Sequence, residues 1–144
     1  MNKEHQSGEI EPVQLLFKST REGNSNNYVD RSILEEDSLA HLKTCVGHEI
    51  QIVVSEYYWC GCDDEEECDY ARMYFKGTTQ QVDKNGITLI VDSGEKVYGR
   101  GEHRAVPLGL INLPYKVHDF HLRQNATLKM VESIKFGEVV FKLQ

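Results

Sequence analysis

The sequence predicts a mainly β fold: a small, strongly bent β-barrel with one N-terminal α-helix and additional terminal strands. Three observations carry this. Short β-favouring runs recur about every ten residues with turn chemistry between them, the pattern of small barrels and sandwiches. One stretch, about residues 33–45, carries its apolar residues at helical spacing. After Gly47 the period of apolar residues changes to two.

A chain of 144 residues has room for one domain with an ordinary core. Residues 1–11 read as a polar, flexible tail, and 12–31 as a strand and a loop. The strand is Val13-Gln14-Leu15-Leu16-Phe17-Lys18, and Arg21 to Asn27 is rich in Gly, Asn and Ser. Residues 32–46 read as the helix. Ser32 and Glu35 have capping-box spacing, Ile33, Leu34, Leu39, Leu42 and Val46 form a stripe, and Gly47 stops it.

Residues 47–111 are the expected barrel core. Glu49 to Val54 alternates, Tyr57-Tyr58-Trp59 leads into a cysteine and acid loop, and Ala71 to Val82 resumes as strand. Asp83-Lys84-Asn85-Gly86 is a tight-turn signal. Ile87 to Val91 and Lys96 to Tyr98 read as separate strands, with a turn at Asp92-Ser93-Gly94. Residues 112–144 supply the extra strands.

The order of helix and five short strands resembles the Sm-like barrels, and in particular the Hfq family of bacterial RNA chaperones, over about residues 39–111. The quoted residues are Gly77, Val82-Asp83, Ile87 and Leu89, Val97-Tyr98 before Arg100, and Val106-Pro107. The resemblance implies a bent, SH3-like barrel and RNA as a ligand. Departures are equally specific. Tyr98-Gly99-Arg100 stands where that family has Tyr-Lys-His, Asn85-Gly86 replaces an aromatic, and the Met-Asn of eukaryotic Sm proteins is missing. These point away from recognition of uridine-rich RNA.

The formal net charge is −7, yet the acid is concentrated. Asp63, Asp64, Glu65, Glu66, Glu67 and Asp69 form one run without a base; outside it, 17 acids face 16 bases. From 96 to 144 the chain holds eight Lys/Arg and four Asp/Glu. An anionic partner is therefore compatible with an acidic chain.

Four groups of residues are candidates. Arg100, His103 and Arg104, with Gly99 and Gly101 flanking Arg100, would offer guanidinium forks, an imidazole and backbone N–H groups to phosphate. Their bland alternative is a solvated hairpin. Tyr57, Tyr58 and Tyr98 would supply stacking faces, against a role in packing. Strand alternation turns Tyr57 and Trp59 one way and Tyr58 the other. Cys60, Cys62 and Cys68 would give three thiolates to zinc, or remain a reduced loop. His118 and His121 fall on opposite faces of a strand, which disfavours a shared metal.

No Gly-x-Ser-x-Gly elbow, His-Glu-x-x-His or Walker loop occurs. The expectation is a non-enzymatic protein that captures RNA or a nucleotide-sized, phosphate-bearing ligand. The alternative is an adaptor or inhibitor presenting the acidic loop 63–69 to a basic protein. A third reading is a small metal-dependent enzyme. No apolar run approaches the ~20 residues of a membrane span, and the polar start lacks a secretory apolar region, so a cytoplasmic protein is expected. Open strand edges predict a homo-oligomer.

Overall fold

Four long strands set the architecture. The computed structural model describes residues 11–59, 69–121 and 126–143. In chain order the elements are β1 (Val13–Leu15), β2 (Phe17–Gly23), β3 (Tyr28–Leu34), α1 (Glu36–Lys43), β4 (Glu49–Trp59) and β5 (Asp69–Val82). They continue with β6 (Gly86–Tyr98), β7 (His103–Ala105), β8 (Gly109–Pro114), β9 (Lys116–Phe120), β10 (Ala126–Phe136) and β11 (Val139–Leu143). The fold is mainly β, with one helix among the described residues, and the sheet curls into a half-barrel.

Strands β10, β4, β5 and β6 lie side by side, all antiparallel. At 11 to 14 residues each they are long enough for the right-handed twist to accumulate. Bulges convert that twist into a curl. Asp92 is an extra residue on β6, between the pairs Lys76–Ser93 and Gly77–Val91. Gln80 is an extra residue on β5. Beside these bulges the backbones close up, and a Cβ on Gly77 would collide with the Ile90 carbonyl. Only glycine permits that approach.

The two outer strands of this set each change partner along their free edge. β6 pairs β8 over Gly86–Val91 and β7 over Glu95–Val97. β10 pairs β9 over Ala126–Met130 and β11 over Ser133–Phe136. Glu132 is the bulged residue at that changeover, and there the Val131 N–H donates to the Tyr115 carbonyl at 2.8 Å. Beyond β9 lie β3 and then β2; beyond β11 lies β1, which pairs in parallel.

One face of the curl is the core. Ile50, Ile52 and Val54 of β4, Phe75 of β5, and Ile87, Leu89 and Val91 of β6 are buried together with Val131 and Ile134 of β10. Each such side chain stabilises the fold by ~1.5–3 kcal/mol through the apolar surface it removes from water. Tyr115 is fully buried in the same cluster, with its hydroxyl 2.7 Å from the Asp83 carbonyl and 3.0 Å from that of Gly86. That contact ties the β8–β9 corner to the β5–β6 turn. The turn itself is held by Asp83, whose carboxylate accepts from the N–H groups of Asn85 and Gly86.

Helix α1 seals one end. Leu42 and Cys45 are fully buried, and the Ser38 hydroxyl accepts from the Leu16 N–H at 2.8 Å. Burial pushes the Cys45 thiol up to about 11, so it stays protonated and unreactive. Among the described residues no helix is long and apolar enough to cross a membrane.

Several expectations need correction. The helix runs over 36–43 rather than 32–46, with Glu35 at its N-cap and no side-chain cap. Ser32 cannot cap it, because it lies inside strand β3, which pairs with β2 over residues 28–34 and with β9 over residues 28–32. The β-branched Val29 and Ile33 favour that outcome. Residues 12–31 hold a β-hairpin in place of a strand and loop, its turn confined to Asn24–Asn27, where Asn24 accepts from the Asn26 and Asn27 N–H groups. Asp92-Ser93-Gly94 lies inside one continuous strand, with Asp92 as a bulge, and is not a turn between two. The strands after residue 112 are not additions to a finished barrel: β10 lies inside the sheet, between β9 and β4.

Candidate functional site

The alternation that buries Ile50, Ile52 and Val54 continues along β4, so Glu56 and Tyr58 emerge on the same, inner face. Strand register then determines their neighbours. Reading across the sheet, Thr20 pairs Arg31, Arg31 pairs Val117, Val117 pairs Lys129, and Lys129 pairs Glu56. Glu56 pairs Ala71, and Ala71 pairs Tyr98. Seven strands thus place one residue each in a single row. One step toward the core, Met73 pairs Lys96 and Lys96 pairs Arg104.

At the centre of this row is a buried carboxylate. The Glu56 side chain is only 10% exposed. The Tyr58 hydroxyl donates to it at 2.5 Å. The Lys96 ammonium is 3.3 Å away and that of Lys129 3.7 Å. A charge in this position requires such partners, since an unpaired buried carboxylate would take up a proton. Burial raises the affinity of Glu56 for a proton. The Tyr58 hydrogen bond and the fields of Lys96 and Lys129 outweigh it, leaving the carboxyl below its ordinary range. Burial pulls Lys96 down, but Glu56 and Tyr98 more than offset that, and the ammonium is held above its ordinary value. Burial and then the Glu56 hydrogen bond raise Tyr58, so it remains a donor.

Among the described side chains, two cations therefore face one anion on a polar ledge at the rim of the core. Lys129 is 37% exposed and Lys96 22%, so the former offers more of its ammonium to a ligand. Lys96 stands 5.0 Å from the centroid of the Tyr98 ring and the Arg104 guanidinium 5.5 Å from it. The ledge thus combines cations with an aromatic face.

The sequence-predicted residues divide between this ledge and other places. Tyr58, Tyr98 and Arg104 belong to it. Arg104 also pairs with Glu102 of its own hairpin, its Nε at 2.8 Å. His103 pairs with Glu95 in the exposed β6–β7 ladder. Arg100 lies in the turn that follows Tyr98. The backbone of that turn does not open toward an anion: the Gly99 N–H donates to the Tyr70 carbonyl and the Gly101 N–H to that of Tyr98. Tyr57 lies on the opposite face and stacks on Tyr70, ring centres 6.0 Å apart. Cys60, Cys62, Cys68 and acidic residues 63–67 lie outside the described residues. Among the described residues no group of three His, Cys, Asp or Glu is placed to hold a metal. His118 packs its edge on Phe120, whereas His121 reaches Asp119 at 3.1 Å.

Glu56, Lys96 and Lys129 were not among the residues selected from sequence. The available signal was phase: Ile50, Ile52, Val54 and Glu56 occupy alternate positions, so a carboxylate falls where an apolar residue is expected. No family model matches the chain, and neither the curated proteins nor the solved structures contain a match to it.

Proposed function

We propose that this protein is a non-enzymatic binding module that captures a phosphate-bearing ligand, RNA or a nucleotide-sized molecule, on the inner ledge around Glu56. The observation that supports it is the convergence of Lys96 and Lys129 on one buried carboxylate beside the Tyr98 ring. Glu56 and Tyr58 fix the two ammonium groups before a ligand arrives, which reduces the ordering cost of binding. Phosphate oxygens then meet Lys129, Lys96 and Arg104, and a planar base meets Tyr98. The Sm-like reading of the curled sheet belongs to the same proposal and favours RNA, as does a cytoplasmic location. Arg100, in the adjoining turn, extends the cationic surface toward a longer ligand, and His103 adds an imidazole on the same hairpin.

Equilibrium titration with short RNAs and mononucleotides tests this. Affinity should fall steeply as salt rises, because bound phosphates release counterions. Replacing Asp63, Asp64, Glu65, Glu66 and Glu67 with Ser should leave binding intact or slightly stronger. A parent that ignores this panel yet binds a basic peptide, with that binding lost in the same variant, would favour the adaptor reading, in which the acidic run meets a basic protein.

A further inference from the structure

The sheet ends on β2, a seven-residue strand that pairs only with β3 among the described residues. Its hydrogen-bonding phase is fixed at both ends of the hairpin. The Leu16 carbonyl accepts from the Glu35 N–H at 3.0 Å, and the Asn24 N–H donates to the Asn27 carbonyl at 2.9 Å. With the register Phe17–Leu34 to Gly23–Tyr28, even-numbered residues of β2 therefore bond to β3. Phe17, Ser19 and Arg21 turn their N–H and C=O groups toward the open edge.

Charges usually guard such an edge. Here one of the three is already committed: Arg21 is paired with Asp30 through two hydrogen bonds, 2.8 and 3.0 Å, and lies over the Tyr28 ring. Lys18 and Glu22 are exposed, and neither has an ion-pair partner among the described residues. They sit symmetrically about Thr20. A second β2 running antiparallel, with Thr20 on the two-fold axis, brings Ser19 opposite Arg21 of the other copy as a hydrogen-bonded pair. It brings Lys18 opposite Glu22 of the other copy, and Glu22 opposite Lys18, as non-hydrogen-bonded pairs, whose side chains stand closest. Sliding by one step toward Gly23 would instead set Arg21 against Arg21. The edge is complementary to itself in one register.

We propose that β2 is a homodimerisation edge, its occupant a second copy of this chain joined by antiparallel pairing centred on Thr20. The pairing is isologous, as closed two-fold symmetry requires. Main-chain hydrogen bonds supply the attraction, and the two Lys18–Glu22 pairs select the register rather than the strength, since exposed ion pairs contribute little. Thr20 shares its row with Arg31 and Lys129, so the dimer continues the inner faces of its two copies into one surface. The inference stands independently of any ligand.

Sedimentation velocity on the full chain tests it. The parent should sediment at twice the 16.5 kDa chain mass. Ser19→Pro removes an N–H that faces the open edge and leaves the β3 ladder intact, so it should give a folded monomer. Lys18→Glu and Glu22→Lys each set two pairs of like charges opposite one another, and that repulsion should weaken dimerisation about ten-fold. The two reversals combined restore opposite charges and should restore the dimer. A parent that stays monomeric up to about 100 μM overturns the proposal. A dimer indifferent to Ser19→Pro and to both single reversals, or one that the double reversal fails to rescue, also overturns it.

Discussion

The ammonium of Lys96 on β6 lies 3.3 Å from the carboxylate of Glu56 on β4, although a whole strand separates them. On that intervening strand Glu56 pairs with Ala71 and Lys96 with Met73, so Lys96 reaches Glu56 diagonally, and the small, fully buried Ala71 side chain leaves the gap that lets it do so. Ala71→Leu should fill that gap and part the two charges. The expected cost is ~1–3 kcal/mol from overpacking, read as a lower urea midpoint. A variant as stable as the parent would show that the gap is not required.

The same pair gives stability a defined pH dependence. The Glu56 carboxyl is depressed in the folded protein, so its contribution is present above the ordinary value of 4.5 and is lost as pH falls through the folded value. Lys96 is raised, so its contribution is present below 10.5 and is lost as pH rises through the folded value. Between those limits the pair contributes a constant amount. Urea midpoints of the parent and Glu56→Gln should therefore converge as the medium is acidified below about 4.5. Curves that stay parallel down to acid unfolding would contradict the assignment.

Tyr115 offers a test of the corner that closes the curl. Its hydroxyl is buried against two main-chain carbonyls, and burial, together with Asp83, raises its proton affinity. Tyr115→Phe keeps the ring against Phe17, with which it packs at 5.6 Å, but leaves those carbonyls without this donor. A loss of ~1–3 kcal/mol is expected by chemical denaturation. No change would mean that the hydroxyl is dispensable.

Local chemistry was legible in the sequence where it acts alone. The Asp83 to Gly86 turn, the alternation of Glu49 to Val54, and the opposed faces of Tyr57 and Tyr58 all follow from neighbouring residues. Where tertiary pairing competes, the local signal fails. Ser32 and Glu35 have the spacing of a cap, but Ser32 lies inside strand β3, between Ser19 of β2 and Lys116 of β9. Asp92-Ser93-Gly94 has turn composition, but once β5 lies alongside, Ser93 and Gly94 pair with it and Asp92 becomes a bulge. The ledge was half legible. Tyr58, Tyr98 and Arg104 attract notice by residue type, whereas Lys96 meets Glu56 across 40 positions of sequence, and only strand register brings them together.

The acidic run and the cysteines permit a separate check. If Cys60, Cys62 and Cys68 hold zinc, protein purified without chelator should carry about one equivalent of metal. Elemental analysis finding none would leave them as reduced thiols.

The central claim is capture of a phosphate-bearing ligand by the ledge. Isothermal titration of a short-RNA and nucleotide panel should be run on the parent and on Lys129→Gln, Arg104→Gln and Tyr98→Leu. Lys129 and Arg104 are exposed enough to be replaced without unfolding the sheet, which circular dichroism can verify. Each charge removal should weaken binding by ~1–3 kcal/mol, and loss of the Tyr98 ring by a similar ~1–3 kcal/mol for a base-bearing ligand. Inorganic phosphate should be insensitive to Tyr98→Leu. A parent protein that binds no member of the panel at low salt, or one whose binding ignores all three substitutions, would contradict the account.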